Sequence, residues 1–386
     1  MKRFYLLFFS ILIAPICLLA NINYQIQINS SELSFSQREG YDIIEIYEYE
    51  MMNITAVPML PVKGLNFIIP SNQKVVEISI TNIIEEELSD DFTIFPAQPE
   101  RIIDYEWLDL PDIGFIEPDS AIYTVNAFYP EANLENIGIQ YKAGTKINSI
   151  LFYPLHYNPV TQKVKLTTNI EFTLIFGDND ADFVKPKRLS RSSYQQIKKQ
   201  IEKLVNNHQD VVLYFQPDTI EEEIYELESF IPSEIPSLFG SNVAYVIITS
   251  ENLESDFQQI ANWKTKRGMP SVVRTTEWIY SNYSGCDNSE KIRTFIIDAF
   301  ENWGTIWFML GGDDNIIPLR YAWISHFNHS QLIQLIPNGE FIPCDMYYAC
   351  LDGNWNADGD ATFGEGSWDR SNDGSFYNAG NNATSV

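Results

Sequence analysis

The chain has 386 residues, 45% hydrophobic and 20% charged, enough apolar matter for two or three packed domains, which excludes wholesale disorder. Its formal net charge of −27 excludes a nucleic-acid partner, because a phosphate backbone needs a Lys/Arg footprint. Over most of the chain such acidity serves solubility outside the cell; in one loop it points to a divalent cation.

At the amino terminus, Lys2 and Arg3 precede an apolar run from Phe4 to Ala20. A basic start, an apolar core and a small final residue predict a secretory signal peptide over residues 1–20. An uncleaved anchor is the alternative, although the run is short and Pro15 interrupts it. Ile16 stands where a lipidated Cys17 would need a small neighbour. No later run is long and apolar enough to span a bilayer, so the mature chain is expected to be exported without a membrane span.

Residues 21–180 read as many short strands. YDIIEIYEYE, KVVEISI, AIYTVNAFY, INSILFYPLHY and KVKLTTNIEFTLIF alternate apolar with polar residues at period two, separated by Pro/Gly/Asn turns. This spacing predicts an all-β sandwich. Glu85, Glu86 and Glu87 read as a solvated face, and His156 as a structural strand histidine. Residues 181–240 form a helical and acidic linker: a basic run from Lys185 to Arg191, an amphipathic helix through Ile197, Ile201 and Leu204, then an acidic, proline-bearing stretch. The basic run reads either as an exposed processing site or as an ordinary charged helix start.

From residue 241 to 386 the pattern changes to short β-branched runs alternating with helices. AYVIIT, PSVVRT and TIWFML predict a parallel sheet covered on its faces, with working residues in the loops at the strands' carboxyl ends. The first helix, capped by Ser250, is expected to bury Leu253, Phe257, Ile260 and Trp263 and to stop at Gly268. The second starts near Asp287, buries Ile292, Phe295, Ile296, Ala299, Phe300 and Trp303, and stops at Gly304. Gly311-Gly312-Asp313-Asp314 lacks the order of a nucleotide loop and reads as a turn.

The sharpest local motif is the loop from Asp352 to Glu365. Counted from Asn354, oxygen side chains fall at positions one, three and five (Asn354, Asn356, Asp358), a glycine at six and Glu365 at twelve. A hard cation needs several oxygens converging, and this spacing supplies them. The expected ligands are Asp352, Asn354, Asn356, Asp358, Asp360 and Glu365, around a structural calcium ion; the alternative is an unliganded Asn/Gly turn. Cys286, Cys344 and Cys350 make no disulfide framework, though Cys344 and Cys350 could pair locally. A dyad between these thiols and His326 or His329 has nothing in its spacing to support it.

LFYPLHYNPVTQKVKLTTNIEFTLIF, YVIITSENLESDFQQIANWKTKRGMPSVVRTTEWIYSNYSG, IRTFIIDAFENWG, IWFMLGGDDNIIP and DMYYACLDGNWNADGD together resemble the gingipain family of secreted bacterial cysteine peptidases. The resemblance implies a multidomain chain: a β-sandwich pro-domain at 21–180, then at 241–386 the first, truncated part of a caspase-like α/β peptidase domain with a mainly parallel sheet. It implies contact between the two, calcium sites, and protein or peptide substrates. The acidic loop carries over, and with it Asp345 on the strand before. The family's catalytic His and Cys follow that loop, so neither is expected before Val386, and no catalytic residue carries over to this chain. The expected function is a secreted cysteine endopeptidase precursor; the alternative is a non-enzymatic exported binding protein or a decayed relative.

Overall fold

The computed structural model describes residues 21–99, 114–179, 183–221, 242–324, 340–353, 355–356, 363, 368–370 and 376–378. The expected signal peptide, His326 and His329 lie outside them. Among the described residues no helix is long and apolar enough to cross a membrane.

The first half is built of β1 (Ile22–Gln27), β2 (Leu33–Arg38), β3 (Tyr41–Ile46), β4 (Glu50–Met51), β5 (Pro61–Ile68), β6 (Gln73–Glu87), the short helix α1 (Ser120–Tyr123), β7 (Leu134–Lys142), β8 (Thr145–Phe152), β9 (Leu155–Asn158) and β10 (Lys163–Asp178). Two four-stranded antiparallel sheets result, one ordered β1-β10-β6 with β9 also on β10, the other β4-β5-β8-β7, and β2 and β3 pair as a separate antiparallel ribbon. Their period-two alternation sends Ile170, Phe172 and Leu174 from one sheet, and Leu65, Phe67, Ile150 and Phe152 from the other, into one shared core. Each such side chain contributes about 1.5–3 kcal/mol by leaving water. The triple glutamate ends β6 with its side chains exposed, opposite Lys165, Leu166 and Thr167.

One predicted strand is not there. AIYTVNAFY opens as helix α1, because Asp119 accepts the Ala121 N–H as an N-cap and the Tyr123 hydroxyl donates to the Ile94 carbonyl. A local cap outweighs the alternating pattern.

The segment that follows is more structured than a linker. It holds β11 (Arg188–Ser190), α2 (Arg191–Leu204), α3 (Val211–Tyr214) and β12 (Thr219–Glu221), with β11 and β12 paired in parallel. Ser190 caps α2, and Ile197 and Ile201 turn inward. They join Leu189, Val211 and Phe215, with Ile68 and Ile147 from the first half and Ile306 from the second, in one cluster. Because α2 and α3 bury apolar faces in both directions, these residues act as a wedge. The basic run is not free either: Arg188 is 4% exposed and Leu189 fully buried.

The second half carries β13 (Tyr245–Thr249), α4 (Glu254–Lys266), β14 (Ser271–Thr275), α5 (Thr276–Asn282), α6 (Asn288–Asp298), β15 (Trp307–Gly311), the antiparallel pair β16 (Tyr321–Ile324) and β17 (Glu340–Pro343), and the short helix α7 (Met346–Ala349). The sheet is parallel, in the order β14-β13-β15. β13 and β14 are almost wholly buried, whereas β15 is only partly buried, with Trp307 exposed. Helix α6 begins at Asp287, whose carboxylate accepts the Glu290 N–H. It buries the expected stripe, widens into a π turn over Ala299–Trp303, and ends at Gly304 in the left-handed region.

Helix α4 corrects the expected stripe. Trp263 is 55% exposed and Ile260 is also exposed; Phe257 packs on the sheet as expected, and Ala261 joins it there. Glu251–Leu253 form a 3₁₀ turn, so Leu253 is out of phase with the α-helix after it. Ser250 sits at the turn's N-cap position but makes no capping hydrogen bond with its side chain.

Candidate functional site

The order β14-β13-β15 places the reversal of strand order between β13 and β15, where open α/β sheets hold their ligands beyond the carboxyl ends. Thr249 and Gly311 close those two strands, and the Thr249 hydroxyl donates to the Gly311 carbonyl at 2.6 Å. A cleft of about 500 Å³ opens just beyond, lined by Ser250, Asn252, Thr276, Glu277, Tyr280 and Asn315 among others. The Glu277 carboxylate accepts the Glu251 N–H at 3.1 Å and the Thr276 hydroxyl at 3.2 Å. The Gly-Gly-Asp-Asp segment beside it is a turn: the Asp313 carboxylate accepts the Asn315 N–H, and its carbonyl accepts those of Ile316 and Ile317. Polar groups line much of this cleft, and among the described residues around it there is neither thiol nor imidazole.

The described thiols have other roles. Cys286 is exposed, but its hydrogen bond to Glu290, with burial and nearby Asp287, pushes the thiol pKa up. Cys350 is buried in the core formed by β13, β14 and α6, and Cys344 packs against that core. No disulfide joins the described thiols, so the pairing of Cys344 with Cys350 is not made. His156 is buried among β9 neighbours; Nδ1 donates to the Pro130 carbonyl at 2.6 Å and Nε2 accepts from the Asn133 amide at 2.7 Å. Burial holds its pKa below the ordinary histidine value, consistent with a neutral structural ring.

The stem of the acidic loop is organised by a residue that sequence reasoning passed over. Arg293 lies on the buried face of α6, beside Ile292, and its side chain reaches the chain after α7. Nη2 stands 2.9 Å from the carbonyls of Cys350, Leu351 and Gly353 and 3.3 Å from that of Asp352, while Nε is 3.1 Å from the Tyr347 carbonyl. Nη2 has two hydrogens, so these carbonyls share them. The guanidinium also lies 5.2 Å from the centre of the Tyr347 ring. A guanidinium therefore gathers the carbonyls that begin the loop. The sequence signal was one arginine inside an otherwise apolar helical stripe.

A second arginine fastens the same region. Arg320 makes a two-pronged bond to Asp287, both contacts at 2.9 Å, and stacks on Tyr347 and Phe363 at 4.5 and 3.7 Å. The Tyr348 hydroxyl donates to the Pro318 carbonyl.

Of the six expected cation ligands, Asp352 and Asn356 are described; Asn354, Asp358, Asp360 and Glu365 lie outside the described residues. Asp352 already has a partner, since its Oδ1 accepts the Val184 N–H at 2.8 Å. Burial pushes its carboxyl above the usual carboxylate range, against the opposing pull of Val184 and Arg293. Asp345 stands exposed at the N-cap of α7 without a capping bond. No group of three or more His, Cys, Asp or Glu is gathered among the described residues.

Val184 brings the first half of the chain to this loop. Phe183 stacks on Tyr141 at 5.1 Å, and Lys187 meets Glu301 through both its ammonium (3.6 Å) and its backbone N–H (2.9 Å). A cavity of about 610 Å³ lies at this junction, between Tyr141, Val184, Ile197, Trp307, Cys350 and Asp352 among others.

An antiparallel two-sheet unit fastened to a parallel α/β unit makes a two-part chain, and known families divide it along the same line. The family described as Propeptide_C25 matches residues 20–203, and Peptidase family C25 matches residues 240–372. The chain therefore belongs to the gingipain family of cysteine peptidases, peptidase family C25, and carries that family's propeptide. A solved complex of the RgpB pro- and mature domains from Porphyromonas gingivalis is similar over 49% of this chain and 93% of that one, at 16% identity and a TM-score of 0.37. A structure of gingipain K from the same organism, described for its zymogenic latency, is similar over 41% of this chain and 100% of that one, at 15% identity and a TM-score of 0.32. No curated protein matches the sequence.

Proposed function

We propose that this chain is the precursor of an exported cysteine endopeptidase, with the propeptide over the antiparallel unit and a caspase-like peptidase domain beginning near residue 241. The tandem order of the two family matches, propeptide first and peptidase second, carries the reading. In such a peptidase a thiolate attacks the scissile carbonyl, backbone amides stabilise the oxyanion, and a histidine hands its proton to the leaving amine. Water then hydrolyses the acyl-enzyme. The protonated Cys286 and the core-packed Cys344 and Cys350 are unsuited to that thiolate, so the catalytic pair is assigned to segments following Val386. The cleft beyond β13 and β15 belongs to the supporting half. The propeptide, seated against the peptidase unit, keeps the enzyme latent.

The test is hydrolysis of protein or peptide substrates by the full gene product before and after propeptide removal. Expected is activity abolished by iodoacetamide, with none from residues 1–386 alone. A reading frame that closes at Val386, together with no hydrolysis, would instead support a non-enzymatic exported protein.

The acidic loop is proposed as a structural calcium site. Its oxygen spacing supports this, with Asn356, Asp358 and Glu365 as central ligands and Asp352 at the margin, because that carboxylate is held by Val184. Calcium at about 100 times its Kd would add about 2.7 kcal/mol of stability. A melting temperature insensitive both to calcium and to Glu365→Gln would refute the site.

A further inference from the structure

We infer that the basic run Lys185–Arg191 is a guarded cleavage point, closed to peptidases until the propeptide lets go of the peptidase unit. A peptidase takes its substrate as an extended segment, with the side chain before the cut bond free to enter a pocket. Arg188 and Leu189 are extended in β11, yet both side chains are buried and the strand is paired with β12. Lys187 is held on both sides: its N–H donates to the Glu301 carbonyl and its carbonyl accepts the Thr219 N–H, each at 2.9 Å. Lys185 is exposed but precedes proline, a poor bond for most peptidases. Arg191 is exposed, but its bond to Ser192 lies in the first turn of α2, capped by Ser190.

The guard is assembled from both units. The Tyr141 ring covers Phe183, the Asp352 carboxylate holds the Val184 N–H, and the β7–β8 turn closes on Pro186. Gly144 makes that approach possible: a β-carbon there would stand 2.3 Å from the Pro186 ring, and its φ of +77° suits glycine. Opening these contacts would let β11 peel away and expose the Arg188 side chain. Cleavage then adds one water across the Arg188–Leu189 amide, leaving the Arg188 carboxylate and a new ammonium on Leu189. Where cleavage is slow compared with reclosing, its rate follows the population of the open form, so the clasp sets the timing of processing.

The inference takes its meaning from the precursor reading, but its test needs no activity of the chain. The whole chain is exposed to trypsin under native conditions, and the cut sites are mapped by mass spectrometry with time. Expected is slow cutting between 185 and 191 in the natural sequence, accelerated about tenfold by Tyr141→Ala, with a further gain on adding Asp352→Ala. Because Asp352 also belongs to the acidic loop, Tyr141→Ala is the arm free of any cation effect. Phe172→Leu, in the propeptide core away from the clasp, controls for general loosening and is expected to change this cut little. Rapid cutting of the natural sequence at Arg188, no acceleration in Tyr141→Ala, or equal acceleration in Phe172→Leu would each overturn the proposal. Failure of the peptidase reading alone would leave this cutting pattern intact.

Discussion

Replacing Arg293 with methionine removes the cation at the centre of the loop stem while keeping most of the side chain's apolar length. Five carbonyls, those of Tyr347, Cys350, Leu351, Asp352 and Gly353, lose a donor. A buried acceptor left without its partner costs about 1–3 kcal/mol. The loss is less than five such penalties: one nitrogen serves four of these carbonyls, and part of the stem can take up water. The guanidinium also sheds its own desolvation cost when it is removed. A net loss of about 3 kcal/mol follows, or roughly 6–12 °C in the melting temperature of a unit of this size. Arg293→Lys should recover little of it, since an ammonium cannot present the planar fork. Urea unfolding followed by Trp fluorescence measures the change, because Trp278, Trp303 and Trp355 all pack in this core. A loss below about 0.5 kcal/mol for Arg293→Met would refute the assignment of the stem to Arg293.

Two further predictions concern pH. Burial alone would raise the Asp287 pKa, but the Arg320 guanidinium and the amides of Ser289 and Glu290 outweigh it and hold the pKa below the usual value. The bound carboxylate therefore contributes stability above about pH 4 that is lost as pH falls through its depressed folded value; Arg320→Ala should weaken this acid dependence, and an unchanged acid-unfolding curve would count against it. His156 titrates with its folded pKa lowered by burial, so stability is full above about pH 6.5 and declines as pH falls below it. His156→Asn should flatten the stability of the propeptide unit between about pH 7 and 5; an identical slope in the variant would remove His156 as the cause.

The elements most legible in the sequence were those whose local signals agreed. Helix α6 has a capping aspartate, one apolar stripe and a terminal glycine, and the structure follows all three. Where two local signals competed, periodicity misled. Asp119 turned a strand-like alternation into α1, and a 3₁₀ turn before α4 put Leu253 out of phase with it, while Trp263, about 120° round the helix from Phe257, lies in solvent beside Arg267 at 5.0 Å. Within the candidate site the acidic spacing was visible, but the groups that hold its stem were not. Arg293 and Arg320 work through burial and stacking across residues far apart in the chain, and in a sequence a cation reads first as a surface residue. The Val184–Asp352 bond spans 168 positions and has no local signature.

The wedge formed by Leu189, Ile197, Ile201, Val211 and Phe215 bears on how such a chain can be recombined. A chimera that exchanges propeptides between two relatives at the point where the strands end, near Asp178, would graft one protein's sheet onto another's wedge and mismatch Ile68 and Ile147 with their neighbours. Moving the junction past Phe215 carries the wedge along with its sheet. Among the described residues, the apolar partner in the cluster left to the recipient is then Ile306. The heritable module is longer than the antiparallel unit, and its seam lies on the side of the peptidase.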